Sequence, residues 1–174
     1  IVTNPNPIDW NKELFKSDEE LKRQVKALDK LGAELRKIGI KLAYHTHSTE
    51  MLAGAKEIHH MLQNTSPENV SFCFDLHWIF RGSHDSEIAV FDILKMYGDR
   101  IAELHIRQSQ NGIWNEAFTA QGDIDYNRVA AFLNEYKMNP HIVLEQSIEK
   151  ESPTILNAVS AHLKGLKALN SCFK

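Results

Sequence analysis

Two cysteines, Cys73 and Cys172, are all that the 174 residues contain. That is too few for a disulfide framework, and the scarcity fits a reducing, cytoplasmic setting. Long apolar runs are also missing: none approaches the roughly 18 residues of a membrane span. The opening segment IVTNPNPIDW has no charged-then-apolar signal pattern. It begins without Met, in what reads as the end of a strand, so a fragment or a trimmed product is expected. Excess positive charge is lacking too. A net charge of −3 with nine histidines provides no basic patch, so neither nucleic acid nor a membrane is expected as a partner. What remains is a chain with 43% hydrophobic residues, enough for a core, and residues 1–174 read as a single, partial domain.

The helix signals come first. Ser17-Asp18-Glu19-Glu20 has the form of a capping box, and Leu21, Val25, Leu28, Leu31, Leu35 and Ile38 follow at helical spacing. Gly39 closes that helix. Further helices are expected over about 49–62 and 85–97, after Asp125 as a cap, and from Ser152-Pro153, since Pro is tolerated at a first helical position. Between them lie four short apolar runs, 40–44, 70–74, 101–106 and 142–144. They are too short for helices and apolar on both faces, as strands covered by helices must be. The alternation predicts an α/β fold with parallel strands and right-handed crossovers, four strands and about five helices in all.

Each strand ends in polar groups: His45 and His47, Asp75 and His77, His105 and Arg107, then Glu145 and Gln146. In the first three pairs, alternate residues of an extended chain share one side. Four such endings in succession, all C-terminal, form the active-face pattern of a parallel α/β barrel. A histidine by itself is more often structural than a ligand. His45 and His105 differ because Asp75 and Glu145 end the neighbouring strands. Two imidazoles and two carboxylates suit a borderline divalent metal with mixed nitrogen and oxygen ligands. His59, His60 and His162 read as surface helix residues and His84 as a loop residue. Residues 108–124 make a long connection containing Trp114, Glu116, Phe118 and Asp123, readable as a substrate lid or as a cover for the rim. Trp10 and Trp78 suit sugar C–H surfaces and fill cores equally well.

The segments GIKLAYHTHSTE, SFCFDLHW, RIAELHIRQS, QGDIDY and IVLEQ, in this order and spacing, resemble the xylose isomerase-like barrel superfamily, which includes sugar phosphate isomerases/epimerases and inosose dehydratases. The resemblance spans nearly the whole chain and implies the C-terminal half of a TIM barrel. It implies one divalent metal ion (Mn, Co, Mg, Fe or Zn) on His45, Asp75, His105 and Glu145. The epimerases of the superfamily have Glu where this chain has His45, and there the first and last glutamates are the two bases. Only the last, Glu145, is present here. His77 falls one residue before the matching histidine of many relatives. Glu50, Arg107 and Asp123 fall at substrate-contact positions, and Trp114 joins them from the long connection.

The expected activity is that of a sugar or cyclitol isomerase/epimerase working through an enediolate, with Glu145 as base and His77 or His47 moving the second proton. A keto-sugar dehydratase or hydratase would use the same intermediate. Two other readings are an apurinic-site endonuclease-like phosphodiesterase, disfavoured by the acidic balance, and a non-catalytic half-barrel. The open edges of half a barrel predict a homo-oligomer or a missing N-terminal half-barrel.

Overall fold

The computed structural model describes residues 1–10 and 12–173. They divide into two compact units, Ile1–Glu103 and Leu104–Lys174.

The first unit contains β1 (Val2–Thr3), α1 (Asp18–Lys37), β2 (Leu42–His45), a 3-10 turn (Ser48–Met51), α2 (Leu52–Asn64), β3 (Val70–Asp75), α3 (Leu76–Gly82) and α4 (Glu87–Tyr97). A second 3-10 turn, Gly98–Arg100, leads into β4 (Ile101–Ile106), whose first three residues belong to this unit. β1 runs parallel to β2 with Val2 opposite Ala43, and β2 runs parallel to β3 with His45 opposite Cys73. β3 in turn neighbours β4. Leu42, Tyr44, Val70, Phe72 and Phe74 are buried and share a core with Leu21, Leu28, Ile58, Met61, Ile79 and Leu94 from the helices. Side chains of this size each contribute about 1.5–3 kcal/mol on burial.

α1 starts with the expected capping box. Glu20 N–H donates to Ser17 Oγ and Ser17 N–H to a Glu20 carboxylate oxygen. The apolar stripe is narrower than its spacing suggested, with Leu21 and Leu28 buried but Leu31 and Ile38 exposed. Gly39, at φ 75°, turns the chain out of the helix. A buried ion pair fastens the segment ahead of α1: Lys16 Nζ lies 2.7 Å from Glu57 of α2, which also accepts from Gln24 Nε2 and the Tyr44 hydroxyl.

The second unit holds the rest of β4, an antiparallel hairpin of β5 (Ser109–Gln110) and β6 (Ile113–Trp114), then α5 (Tyr126–Glu135), β7 (His141–Leu144) and α6 (Ala158–Cys172). β7 neighbours β4, and just beyond it Glu145 N–H donates to the Ile106 carbonyl at 3.0 Å. Trp114, Phe118, Ile124, Tyr126, Val129 and Leu133 are among its buried side chains. Among the described residues, no helix is long and apolar enough to cross a membrane.

Several expected boundaries need correction. The helix expected from residue 49 is a 3-10 turn followed by left-handed backbone at Ala53, Gly54 and Ala55 (φ 54°, 73° and 58°), and regular helix follows. α3 went unread, because Asp75 ends β3 and also caps a helix, so His77 lies on that helix and not on the strand. The helix expected from residue 85 starts at Glu87, capped by Ser86, because His84 and Asp85 are left-handed. The last helix does not open at Ser152-Pro153. Asn157 caps it by accepting from Ser160 N–H. The main sheet has five strands and the helices number six among the described residues.

Candidate active site

In the first unit the polar strand ends are buried. His45 is 6% exposed and Asp75 is fully buried. Asp75 Oδ1 accepts from the N–H groups of His77 and Trp78 at 3.0 and 2.9 Å, so α3 fixes the orientation of the carboxylate. Asp75 Oδ2 stands 3.5 Å from His45 Nε2. That is long for a hydrogen bond. It matches the roughly 3.4 Å between neighbouring ligands held about 2.1 Å from a tetrahedral ion. A nitrogen and a hard oxygen at this spacing fit a borderline divalent metal.

His47 follows immediately and is half-buried. Its ring stands edge-on to His45 at 4.8 Å and to Trp10 at 5.0 Å, and is tilted against Trp78 at 5.3 Å. Its backbone N–H donates to Glu50 at 2.6 Å. Asn4 Nδ2 donates to the His45 carbonyl at 3.0 Å and to Glu50 at 3.4 Å, tying the segment after β1 to the end of β2. Glu50 is 1% exposed. Burial raises its carboxyl pKa, against the lowering effect of the His47 N–H bond. His77 is fully buried, with its ring edge-on to Phe80 at 5.4 Å.

In the second unit Glu145 is held from two sides. His105 Nδ1 lies 2.6 Å from Oε2, and Arg107 Nη2 lies 2.9 Å from Oε1. His105 is on β4 and Arg107 just beyond it, two residues apart, which places them on one side of the extended chain. The Arg107 guanidinium lies over the Trp114 ring, 4.9 Å from its centroid, and the Tyr126 hydroxyl donates to the Arg107 carbonyl. At 2.6 Å His105 and Glu145 are joined by a hydrogen bond, so an ion bound by both would replace that proton and widen the gap. The donor types fit a metal here as well.

The connection of residues 108–124 packs as a cover on its own unit. Asp123 accepts from Ser109 Oγ, Asn111 N–H and Gly112 N–H, closing the β5–β6 hairpin. Gln108 Nε2 donates to the carbonyls of Thr119 and Ile124. Glu149 accepts from Trp114 N–H, and the Gln146 side chain accepts from Phe118 N–H. Trp114 is 7% exposed.

Each unit thus gathers its own share of the expected residues: His45, His47, Glu50 and Asp75 in one, His105, Arg107, Trp114 and Glu145 in the other. Asp123 and His77 are engaged within loop and helix structure. Sequence reading missed Asn4 and Tyr126. A lone Asn in a loop and an apolar-looking Tyr at a helix start carry no pattern that would have marked them.

The description of the family model that matches residues 5–172 is "Xylose isomerase-like TIM barrel". The chain is similar to inosose dehydratase of Lacticaseibacillus casei, 27% identical over 173 residues, covering 89% of this chain and 55% of that protein. Inosose dehydratase of Clostridium perfringens is 25% identical over 169 residues, covering 87% and 54%. The chain therefore spans about half the length of these curated relatives. Among solved structures, a sugar phosphate isomerase/epimerase from Parabacteroides distasonis superposes with a TM-score of 0.76 at 19% identity, covering 98% of this chain and 56% of the other. The 3-keto-D-glucoside 4-epimerase of E. coli gives 0.64 at 16% identity, covering 90% and 56%. At such identities the likeness shows the fold, that of part of a TIM barrel.

Proposed function

The chain belongs to the xylose isomerase-like TIM barrel family, and from that premise we propose that it serves a lyase of keto-sugars or keto-cyclitols, as a dehydratase. The observation that carries this reading is Glu145, a carboxylate at the end of β7 held by both His105 and Arg107. Glu145 removes the proton from the carbon next to the substrate carbonyl. Its electron pair becomes the new double bond, and a hydroxyl leaves the next carbon, taking a proton from His47 to depart as water. His47 is half-buried and suits this exchange better than the fully buried His77.

One divalent ion (Mn, Co, Mg, Fe or Zn) would supply the positive charge that stabilises an enediolate, and His45, Asp75, His105 and Glu145 are the residues proposed to hold it. Arg107 orients the base and, with Glu50, Trp114 and Asp123, belongs to the substrate side. On this reading residues 1–174 act as one partial barrel domain, completed by a further half-barrel or a second copy, in the cytoplasm.

Dehydration is favoured over isomerisation because His45 occupies the place of the first glutamate base. Relatives named inosose dehydratase support the same outcome. An isomerase or epimerase is the second reading, supported by the fold likeness to structures of that description. Proton NMR in deuterated water distinguishes them. With Mn²⁺ and an inosose, a dehydratase gives an unsaturated or diketone product, whereas an isomerase exchanges the carbon-bound proton and keeps the water. Neither product nor exchange, from this chain or from a barrel completed with a relative's N-terminal half, would defeat both readings.

A further inference from the structure

Trp10 and Trp114 are both aromatic candidates for a sugar, and the structure separates them. Trp114 is 7% exposed and lies under the Arg107 guanidinium. Most of its ring is already covered, so Trp114 offers a substrate no open stacking face. Trp10 is 54% exposed, and its indole meets the His47 ring at 5.0 Å. His47 in turn contacts Trp78, which is half-buried at the start of α3. These three rings stand beside the buried ends of β2 and β3, the ends where ligands collect in parallel α/β folds. The Trp10 segment is not left to chance, since Asn4 fastens it to the His45 carbonyl and Lys16 fastens its far end to Glu57.

We propose that Trp10, with Trp78 and the His47 ring, forms a stacking wall that selects ring polyols. This deepens the proposed dehydratase reading and rests on it for the substrate class. The electron-rich face of an indole attracts the electropositive hydrogens of C–H bonds. A cyclitol or pyranose with mostly equatorial hydroxyls presents axial C–H bonds on each face and its hydroxyls around the rim. One face then stacks, and the rim stays available to the polar strand ends. An open-chain polyol of equal hydroxyl content has no such face. The wall therefore discriminates by ring form, where charge and hydrogen bonding alone would not.

The test is a ligand-observed NMR titration of the chain with myo-inositol and with sorbitol, each with and without Mn²⁺. Mn²⁺ binding is measured separately by calorimetry. The expected result is that myo-inositol binds more tightly than sorbitol. Trp10→Ala should weaken myo-inositol roughly three- to tenfold, leave sorbitol unchanged and leave Mn²⁺ binding unchanged, whereas Trp10→Phe recovers most of the loss. Equal affinity for ring and open-chain polyols, no binding of myo-inositol under either condition, or an unchanged affinity in Trp10→Ala would overturn the wall. Failure of Mn²⁺ to bind, with the ring preference intact, would overturn the metal-dependent reading and leave the wall standing.

Discussion

His105 Nδ1 and Glu145 Oε2 lie 2.6 Å apart, within hydrogen-bond distance across the two strands β4 and β7. A metal shared by the two would displace this hydrogen bond, and because metal ligands bind in their deprotonated forms, uptake should compete with protons. Binding of Mn²⁺ or Zn²⁺ should release protons and tighten as pH rises. Calorimetry in buffers of different ionisation enthalpy measures this, because the observed heat then changes from buffer to buffer. Heats independent of the buffer would mean that the pair stays closed and that metal, if bound, is held elsewhere.

Glu145→Gln keeps the shape and one acceptor oxygen but removes the charge and the basicity. Turnover in a completed barrel should fall on the order of 10²–10⁴, the usual worth of a positioned base. Metal affinity should fall as well, and excess metal separates the effects. Activity lost through weak binding returns at saturation, and activity lost with the base does not. Full activity at saturating metal would remove Glu145 from the chemistry.

Much of this site was legible in the sequence, because strand ends advertise themselves by a change from apolar to polar. The end of β3 shows where that reading stops. In SFCFDLHW the alternation suggests that Asp75 and His77 share a strand face, yet Asp is also a favoured helix cap, and capping decided the outcome. The short apolar run after it, LHWIFRG, was the available sign of α3. Similarly, Pro153 suggested a helix start, but Asn157 caps α6 through Ser160 N–H and the helix begins later. The fastening of Trp10 through Asn4 depends on contacts 41 residues apart in the chain, and no local pattern reports such a contact.

Glu50 gives a pH signature in stability. Its folded-state pKa is raised by burial, so the folded state holds a proton over a pH range where the unfolded state has lost it. Its contribution is therefore fully present below the unfolded value, near the ordinary carboxylate value of 4.5, and is lost as pH rises through the raised folded value. Glu50→Gln retains an acceptor for His47 N–H without the charge. Urea denaturation at acid and neutral pH should show the variant gaining stability over the native chain as pH rises through that window. Identical pH profiles would show that Glu50 carries no such burden.

Glu57 makes the opposite kind of statement. It accepts from Lys16, Gln24 and Tyr44, and both ends of the Lys16–Glu57 pair are largely buried. Glu57→Ala leaves the Lys16 ammonium without its partner, which costs about 3 kcal/mol at such sites. Thermal unfolding should show a fall of several degrees. The loosened segment should also weaken any ligand held by Trp10. A loss below about 0.5 kcal/mol, the range of an ordinary surface change, would mean that water replaces the carboxylate readily.

Gly32 provides the sharpest test of packing, because two effects of one methyl group oppose each other there. Ala in place of Gly in an exposed helix interior gains about 1 kcal/mol from backbone entropy. At Gly32, however, a Cβ would fall 2.0 Å from the carbonyl oxygen of Asn69 and 2.6 Å from its carbon. These are backbone atoms, which cannot swing aside as a side chain can. The turn they belong to is also fastened to α1: Asp29 accepts from Ser66 N–H at 2.6 Å and from Asn69 Nδ2 at 3.0 Å. Relief of the clash must therefore lengthen those bonds or displace α1 from the start of β3. Overpacking of this kind costs about 1–3 kcal/mol or more, so it outweighs the entropy gain. Gly32→Ala should lower stability by about 1–2 kcal/mol net in urea denaturation. Asp29→Ala should restore part of the tolerance in a double-mutant cycle by freeing the turn to move. Unchanged or increased stability in Gly32→Ala would mean that α1 does not lie against the Asn69 carbonyl as closely as this structure places it.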